Sequence, residues 1–203
     1  MVKLQPTTRT IDQPAMGAAP VYPSTAAIAG HPIHPMLIPF PIAFLSGALV
    51  TDIVYVCTNR VFWALSSRWL LIAGVAMGLL AAVFGVIDFL TIPQVRARMQ
   101  GWLHPIAAVT SVLLAVVNIV LRWNDPITMV VPWGISLSAL MFVVLIGAGW
   151  LGGELAFRHR IGVNAAQAGE LPPTLATTVR TDVLEEEAEV GGRFVTQREK
   201  IEH

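Results

Sequence analysis

Charge is scarce in this 203-residue chain: thirteen basic and thirteen acidic side chains cancel at pH 7 and make up only 13% of the sequence. With 55% hydrophobic residues and a mean hydropathy of +0.66, the chain is too apolar for an ordinary soluble domain and reads as a membrane protein. Cysteine is almost missing as well. Cys57 stands alone, which excludes an internal disulfide and zinc-finger spacing and leaves it as a small packing residue. No phosphate loop and no basic stretch interleaved with aromatics is present, so nucleotide and nucleic-acid functions have no footing. Residues 1–30 are polar and rich in Pro and Ala; without an apolar run near their start, no cleavable signal is expected, and the first span would act as an uncleaved anchor.

What the chain does have is four apolar stretches, residues 35–57, 69–92, 104–122 and 132–153. Each is close to the roughly 20 residues that cross a bilayer core. The expected fold is an all-α integral membrane protein, a four-transmembrane-helix antiparallel bundle with a Pro-rich start to its first helix. Trp63, Trp69, Trp102, Trp123, Trp133 and Trp150 all fall near a span end, where amphipathic rings favour the headgroup level. Three regions follow: a polar tail over 1–30, the transmembrane domain over 31–157, and an acidic tail over 158–203. In residues 164–203 acids outnumber bases eight to four. That segment cannot bury a core of its own and reads as solvated chain, with 184–190 as a short helix in the alternative.

Short-loop cations set the orientation. Arg96, Arg98, Arg158 and Arg160 lie on one side and Arg60, Arg68 and Arg122 on the other. The first group is the larger, so both termini are placed in the cytoplasm.

The span ends that share this face carry His31, His34, Asp88, His104, Glu154 and His159. Titratable groups are costly beside hydrocarbon, and six at one level point to a site. Small residues line the adjoining helices: Gly74, Gly78, Ala82 and Gly85 on the second, Gly147, Gly149, Gly152 and Gly153 on the fourth. Such stripes let helices approach closely, or open a groove for a flat cofactor such as a porphyrin. The run His31-Pro32-Ile33-His34-Pro35, followed by Pro39 and Pro41, resists a regular helix. Either the first helix starts near Phe40, or it starts earlier and kinks. Irregular backbone at that depth must pack on protein or line a polar cavity, which holds His31 and His34 near its mouth. His104, followed by Pro105, is expected to cap the third helix at its positive end, where a neutral imidazole is favoured. His159 lies at the negative end of the fourth helix, a better proton or anion partner than a metal ligand. Each histidine taken singly also fits a side chain bonded to a backbone carbonyl. Asp88 and Glu154 are expected to pair with a histidine or with Arg96, Arg98 or Arg158, structurally or as groups that orient an imidazole. Asp52, at the far end of the first span, reads as an interhelix polar clasp.

Gly30-His31-Pro32-Ile33-His34-Pro35, Asp88, His104 and the run from Gly149 through Glu154 to Phe157-Arg158-His159 resemble the bacterial membrane family known as domain of unknown function 2231. The resemblance covers residues 30–163 and places the chain in the bacterial cytoplasmic membrane. Relatives joined to Rieske iron–sulfur or cytochrome-like domains imply membrane electron transfer with haem b or a quinone. On that reading His34 and His104 are candidate axial ligands of the haem iron. His31, His159, Arg96, Arg98 and Arg158, with Arg160, complete the cofactor surroundings, the arginines meeting the propionates. Two alternatives stand beside it: a zinc or non-haem iron site built from His31, His34, His104 and Glu154, and a non-redox assembly protein whose polar groups knit helix ends together. Nothing in the chain resembles a nucleophile with its base, so no stand-alone enzymatic activity is expected. The partners expected are the lipid bilayer and a Rieske-type or cytochrome redox protein.

Overall fold

The computed structural model describes residues 20–163; the acidic segment and the first nineteen residues lie outside it. The chain opens with a short antiparallel hairpin, β1 (Ala27–Ile28) and β2 (His31–Pro32). Ala29 and Gly30 turn it, both at positive φ, 48° and 77°. A two-residue connection of that hand matches the twist of paired strands. Helix α1 (Ile33–Leu37) follows at once, and α2 (Pro39–Thr58) continues it after a break at Ile38. The helix therefore starts early, at Ile33, and the prolines interrupt it only at Ile38, whose dihedrals stay helical; together α1 and α2 make one span of 26 residues, Ile33–Thr58.

Helix α3 (Val61–Thr91) returns across the membrane, α4 (Pro93–Arg96) is a single turn, α5 (Met99–Leu121) crosses again, and α6 (Trp133–Gly153) makes the last crossing. All four spans are long and apolar enough to cross a bilayer. A widened π turn over Glu154–Arg158 ends α6, closed by a bond from the His159 amide to the Glu154 carbonyl. Within the bundle α2 packs on α3 and α6, and α5 packs on the same two helices. Thus α2 and α5 stand on one diagonal of a four-square bundle. Large apolar side chains point outward, as in Leu113, Val143 and Ile146, because the surrounding solvent is hydrocarbon. The innermost layer is Leu45, Ala48, Leu71, Ala115 and Met141.

Two expected boundaries need correction. The second span starts at Val61, eight residues before Trp69, which puts Arg68 inside the helix. His104 is not a cap: α5 begins at Met99, and Pro105 sits in the helix interior. The added turn is held from outside. The Trp102 indole N–H donates to the Arg96 carbonyl at 3.0 Å, its ring meets Phe89 edge to face, and a Cβ on Gly101 would overlap the Val95 carbonyl. Pro105 has no N–H for the Gly101 carbonyl, the one intrahelical bond this arrangement gives up.

Candidate functional site

The polar residues of the bundle collect at the two ends of its axis. At one end the Asp52 carboxylate, wholly buried, receives both Nη atoms of Arg122 at 2.7 Å and the Ser138 hydroxyl at 2.6 Å. Arg122 also donates to Ser67 Oγ at 3.0 Å, and the Asn118 amide donates to Ser138 Oγ and the Gly134 carbonyl. Side chains from α2, α3, α5 and α6 thus meet in one network. Asp52 is the clasp its position suggested, but Arg122 is no loop cation: it has 0% exposure and is neutralised by Asp52. Gly134 is required there, since any Cβ would overlap the guanidinium. Two buried atoms of the network, Arg122 Nε and Asn118 Oδ1, have no protein partner.

The other end holds the histidines. His34 lies in α1, and its Nδ1 meets the Ala81 carbonyl of α3 at 2.9 Å; His104 lies in α5, and its Nδ1 meets the Ala148 carbonyl of α6 at 2.9 Å. A carbonyl only accepts, so each Nδ1 carries the proton. An uncharged ring bonded in this way keeps the Nε2 lone pair, the arrangement by which proteins orient an imidazole ligand. The two rings stand edge to face with centroids 6.2 Å apart. Each is seated on a glycine. A Cβ on Gly85 would come within 3.0 Å of the His34 ring, and one on Gly152 within 3.0 Å of His104 Cε1. Of the small residues on α3 and α6, Gly85 and Gly152 therefore serve close approach of imidazole to helix, Gly74 and Gly78 seat Leu45 and Val112, and Gly147 and Gly149 face open space.

The remaining candidates are placed around this pair without joining it. His31 sits in the hairpin, exposed, with Nδ1 3.0 Å from the Ala29 carbonyl. Asp88 binds neither a histidine nor an arginine in its recorded hydrogen bonds: its carboxylate accepts from the Ser24 hydroxyl (2.7 Å), the Thr25 hydroxyl (3.2 Å) and the amides of Thr25 (2.9 Å) and Ala26 (3.1 Å). It pins the strap of residues 20–32 across the helix ends. Arg96 is spent on the Phe89 and Leu90 carbonyls that α3 leaves open. Arg158 and Glu154 form an exposed ion pair at 3.3 Å. His159 lies beside Arg98 and Arg158; loss of water, then those two cations, hold its pKa below the usual histidine value. Its Nε2 is buried without a protein partner. Among the described residues no three His, Cys, Asp or Glu side chains gather into a group able to hold a metal ion. His31, His34, His104 and Glu154 in particular are not brought together.

Sequence reading missed the strap. Ser24 and Thr25 look like linker residues, and only a carboxylate one turn inside an apolar helix hinted that something must satisfy it. It also missed Ser67, Asn118 and Ser138, lone polar residues at helix-interior positions, whose spacing from Asp52 and Arg122 has no local pattern.

The strap and the chain's exit from α6 are stitched together by a parallel bridge between Tyr22 and Ile161. Tyr22 donates to the Arg160 carbonyl at 2.9 Å and accepts from the Gly162 amide at 2.8 Å. A family model described as "Predicted membrane protein (DUF2231)" matches residues 30–165, a range that takes in all four spans and both imidazoles. No curated protein and no solved structure matches the chain.

Proposed function

The chain belongs to the DUF2231 family of membrane proteins, and we propose that it is a membrane redox subunit holding one haem b between His34 and His104. One observation carries this reading: two imidazoles from different helices, both fixed through Nδ1 to backbone carbonyls, stand 6.2 Å apart with Nε2 left for a metal. That donor set fits a haem iron, which His34 and His104 would hold through nitrogen with no third protein group. Haem bound there would supply a one-electron iron couple, tuned by its protein ligands, its burial and the hydrogen bonds on those ligands.

The chain's own contributions follow from the site. The Ala81 and Ala148 carbonyls fix ring orientation and raise the basicity of each Nε2. Arg98, at the same end, supplies positive charge for a carboxylate-bearing cofactor, whereas Arg96 is committed to α3 and Arg158 to Glu154. The orientation argument gains from Arg122 leaving the count. Arg96, Arg98, Arg158 and Arg160 now stand against Arg60 and Arg68, which favours the imidazole end in the cytoplasm, with both tails on that side. Electrons would pass to or from a quinone or a Rieske-type or cytochrome partner in the bacterial inner membrane.

An oxidised-minus-reduced visible spectrum of detergent-purified protein, with iron analysis of the same sample, tests the reading. Haem bands at near-stoichiometric iron are expected, and they should vanish in the His34→Ala, His104→Ala double variant. Pigment unchanged in that variant, or wild-type protein colourless after production with ample haem, would overturn it.

A further inference from the structure

The buried positions of the four spans repeat. On α2 they are Pro41, Leu45, Ala48, Thr51 and Asp52; adding 70 carries all but Thr51 onto Ser111, Ala115, Asn118 and Arg122, the buried positions of α5 beyond Gly101 and at its end. On α3 they include Ser67, Leu71, Gly74 and Ala81; adding 67 gives Gly134, Ser138, Met141 and Ala148, the whole buried set of α6. These two offsets, fixed by burial alone, also carry His34-Pro35 onto His104-Pro105, the Ala81 carbonyl onto that of Ala148, and Gly85 onto Gly152. The packing repeats with compensating changes. Leu45 fills the space left by Gly74; at the equivalent positions Ala115 is small and Met141 large, both in the same core layer. Ser67 donates to the Ala48 carbonyl at 3.2 Å, and at the equivalent pair Asn118 donates to the Gly134 carbonyl at 3.0 Å, the donor changing helix.

We infer that residues 33–91 and 99–158 are two copies of one helical hairpin, related by a twofold axis along the bundle, and that the imidazole pair is a twofold site on that axis. Since α2 and α5 run in the same direction, the axis is normal to the membrane, as for other parallel repeats. The rotation carries His34 onto His104. Any ligand between them is met by equivalent nitrogens from opposite sides. That names the ligand class, given the reading above: a metal centre with two opposed axial positions, and not a molecule with a distinct head and tail such as a quinone. At the far end the same rotation would set a side chain against its own copy, and a buried charge would face a like charge. Asp52 and Arg122 occupy those equivalent positions with opposite sign, so they select the pairing of two unlike halves.

Exchange variants of the full chain test this. Asp52→Arg alone, or Arg122→Asp alone, buries two like charges and should abolish folded, monodisperse protein. The double exchange Asp52→Arg, Arg122→Asp reverses the pair, but the rotation then sets Ser67 where the guanidinium requires Gly134, and leaves unmoved Ser138, which serves Asp52 and whose equivalent is Leu71. Adding Ser67→Gly, Gly134→Ser, Leu71→Ser and Ser138→Leu carries these neighbours across as well, and the sixfold variant should unfold above the double variant. A sixfold variant less stable than the double one would overturn the duplication, since a serine at an unrelated core position only costs stability. For the site, haemin titrations of His34→Ala and His104→Ala should show equal loss of affinity, each at least about tenfold, the lower end of what even outer-shell changes cost a metal. Losses differing by more than tenfold would overturn the twofold site. Rescue by the sixfold exchange, together with wild-type protein that binds no haemin, would keep the duplication and sink the haem reading, so the two fail separately.

Discussion

The two ends of the bundle axis are built from equivalent positions and have opposite characters. Eighteen residues separate His34 from Asp52 and His104 from Arg122, about 27 Å along a helix, close to the thickness of the hydrocarbon core. At the ion-pair end both members of the pair have 0% exposure, the carboxylate takes three donors, and four helices are tied together. At the imidazole end the rings are only half buried, each holds a single backbone acceptor, and a strap rather than a helix lies across the opening. One end holds the bundle together, and the other leaves lone pairs unspent.

Breaking the closed end should cost most. Asp52→Ala leaves Arg122 buried without its counter-charge, and loss of roughly 3–5 kcal/mol is expected for such a removal, read by thermal unfolding in detergent. Gly134→Ala tests the same end by sterics: the new Cβ overlaps the guanidinium, and overpacking of that kind costs about 1–3 kcal/mol. At the open end Asp88→Ala should remove about 2 kcal/mol, the scale of a hydrogen bond to a charged acceptor. The loss should be local, seen as faster hydrogen exchange at the Thr25 and Ala26 amides with the ion-pair end unchanged. Gly152→Ala sharpens the contrast further. Its Cβ would press on His104 Cε1 at 3.0 Å, so the ring must shift by a few tenths of an ångström. Spectra of a bound metal centre should change while the unfolding temperature barely moves.

The smallest effects are pH-dependent, and they lie outside the spans. Burial, with Arg98 and Arg158, holds His159 below its ordinary 6.5. The unfolded chain therefore takes up a proton first, and the folded state loses stability as pH falls below 6.5; His159→Gln should flatten that decline. In the connection before α6, the Thr128 hydroxyl, then the Thr128 amide, hold the Asp125 carboxyl below 3.8. This stabilisation is complete above 3.8 and fades as pH falls through the depressed value, so Asp125→Asn should be less stable than wild type near neutrality and level with it in acid.

The spans were legible because a bilayer imposes a length and an apolar composition that no packing detail can hide. The helix starts were not. Met99 and Val61 begin their helices in polar sequence, held by the Trp102–Arg96 contact in one case and the Arg60 turn in the other. The polar residues at the candidate site were all visible as costly groups, yet their partners were not, because His34 and His104 bond to carbonyls that every residue carries. Arg122 misled by position: the charge at a span end turned inward to a residue 70 positions away. In the sequence the inferred repeat shows only as His34-Pro35 and His104-Pro105, each eighteen residues before a charged residue, Asp52 or Arg122; compensating exchanges such as Leu45 with Gly74 against Ala115 with Met141 erase residue identity and leave burial to show the rest.

The Tyr22–Ile161 bridge leaves the described chain beginning and ending side by side on one rim. A short linker from residue 20 to residue 163, with new termini opened near Ala97, between α4 and α5, would give a circular permutant in which α5 and α6 precede α2 and α3. If the halves are equivalent, that molecule reaches the same bundle with its two hairpins made in reverse order. The sequence in which the ribosome delivers the two hairpins would then be immaterial to where they finish.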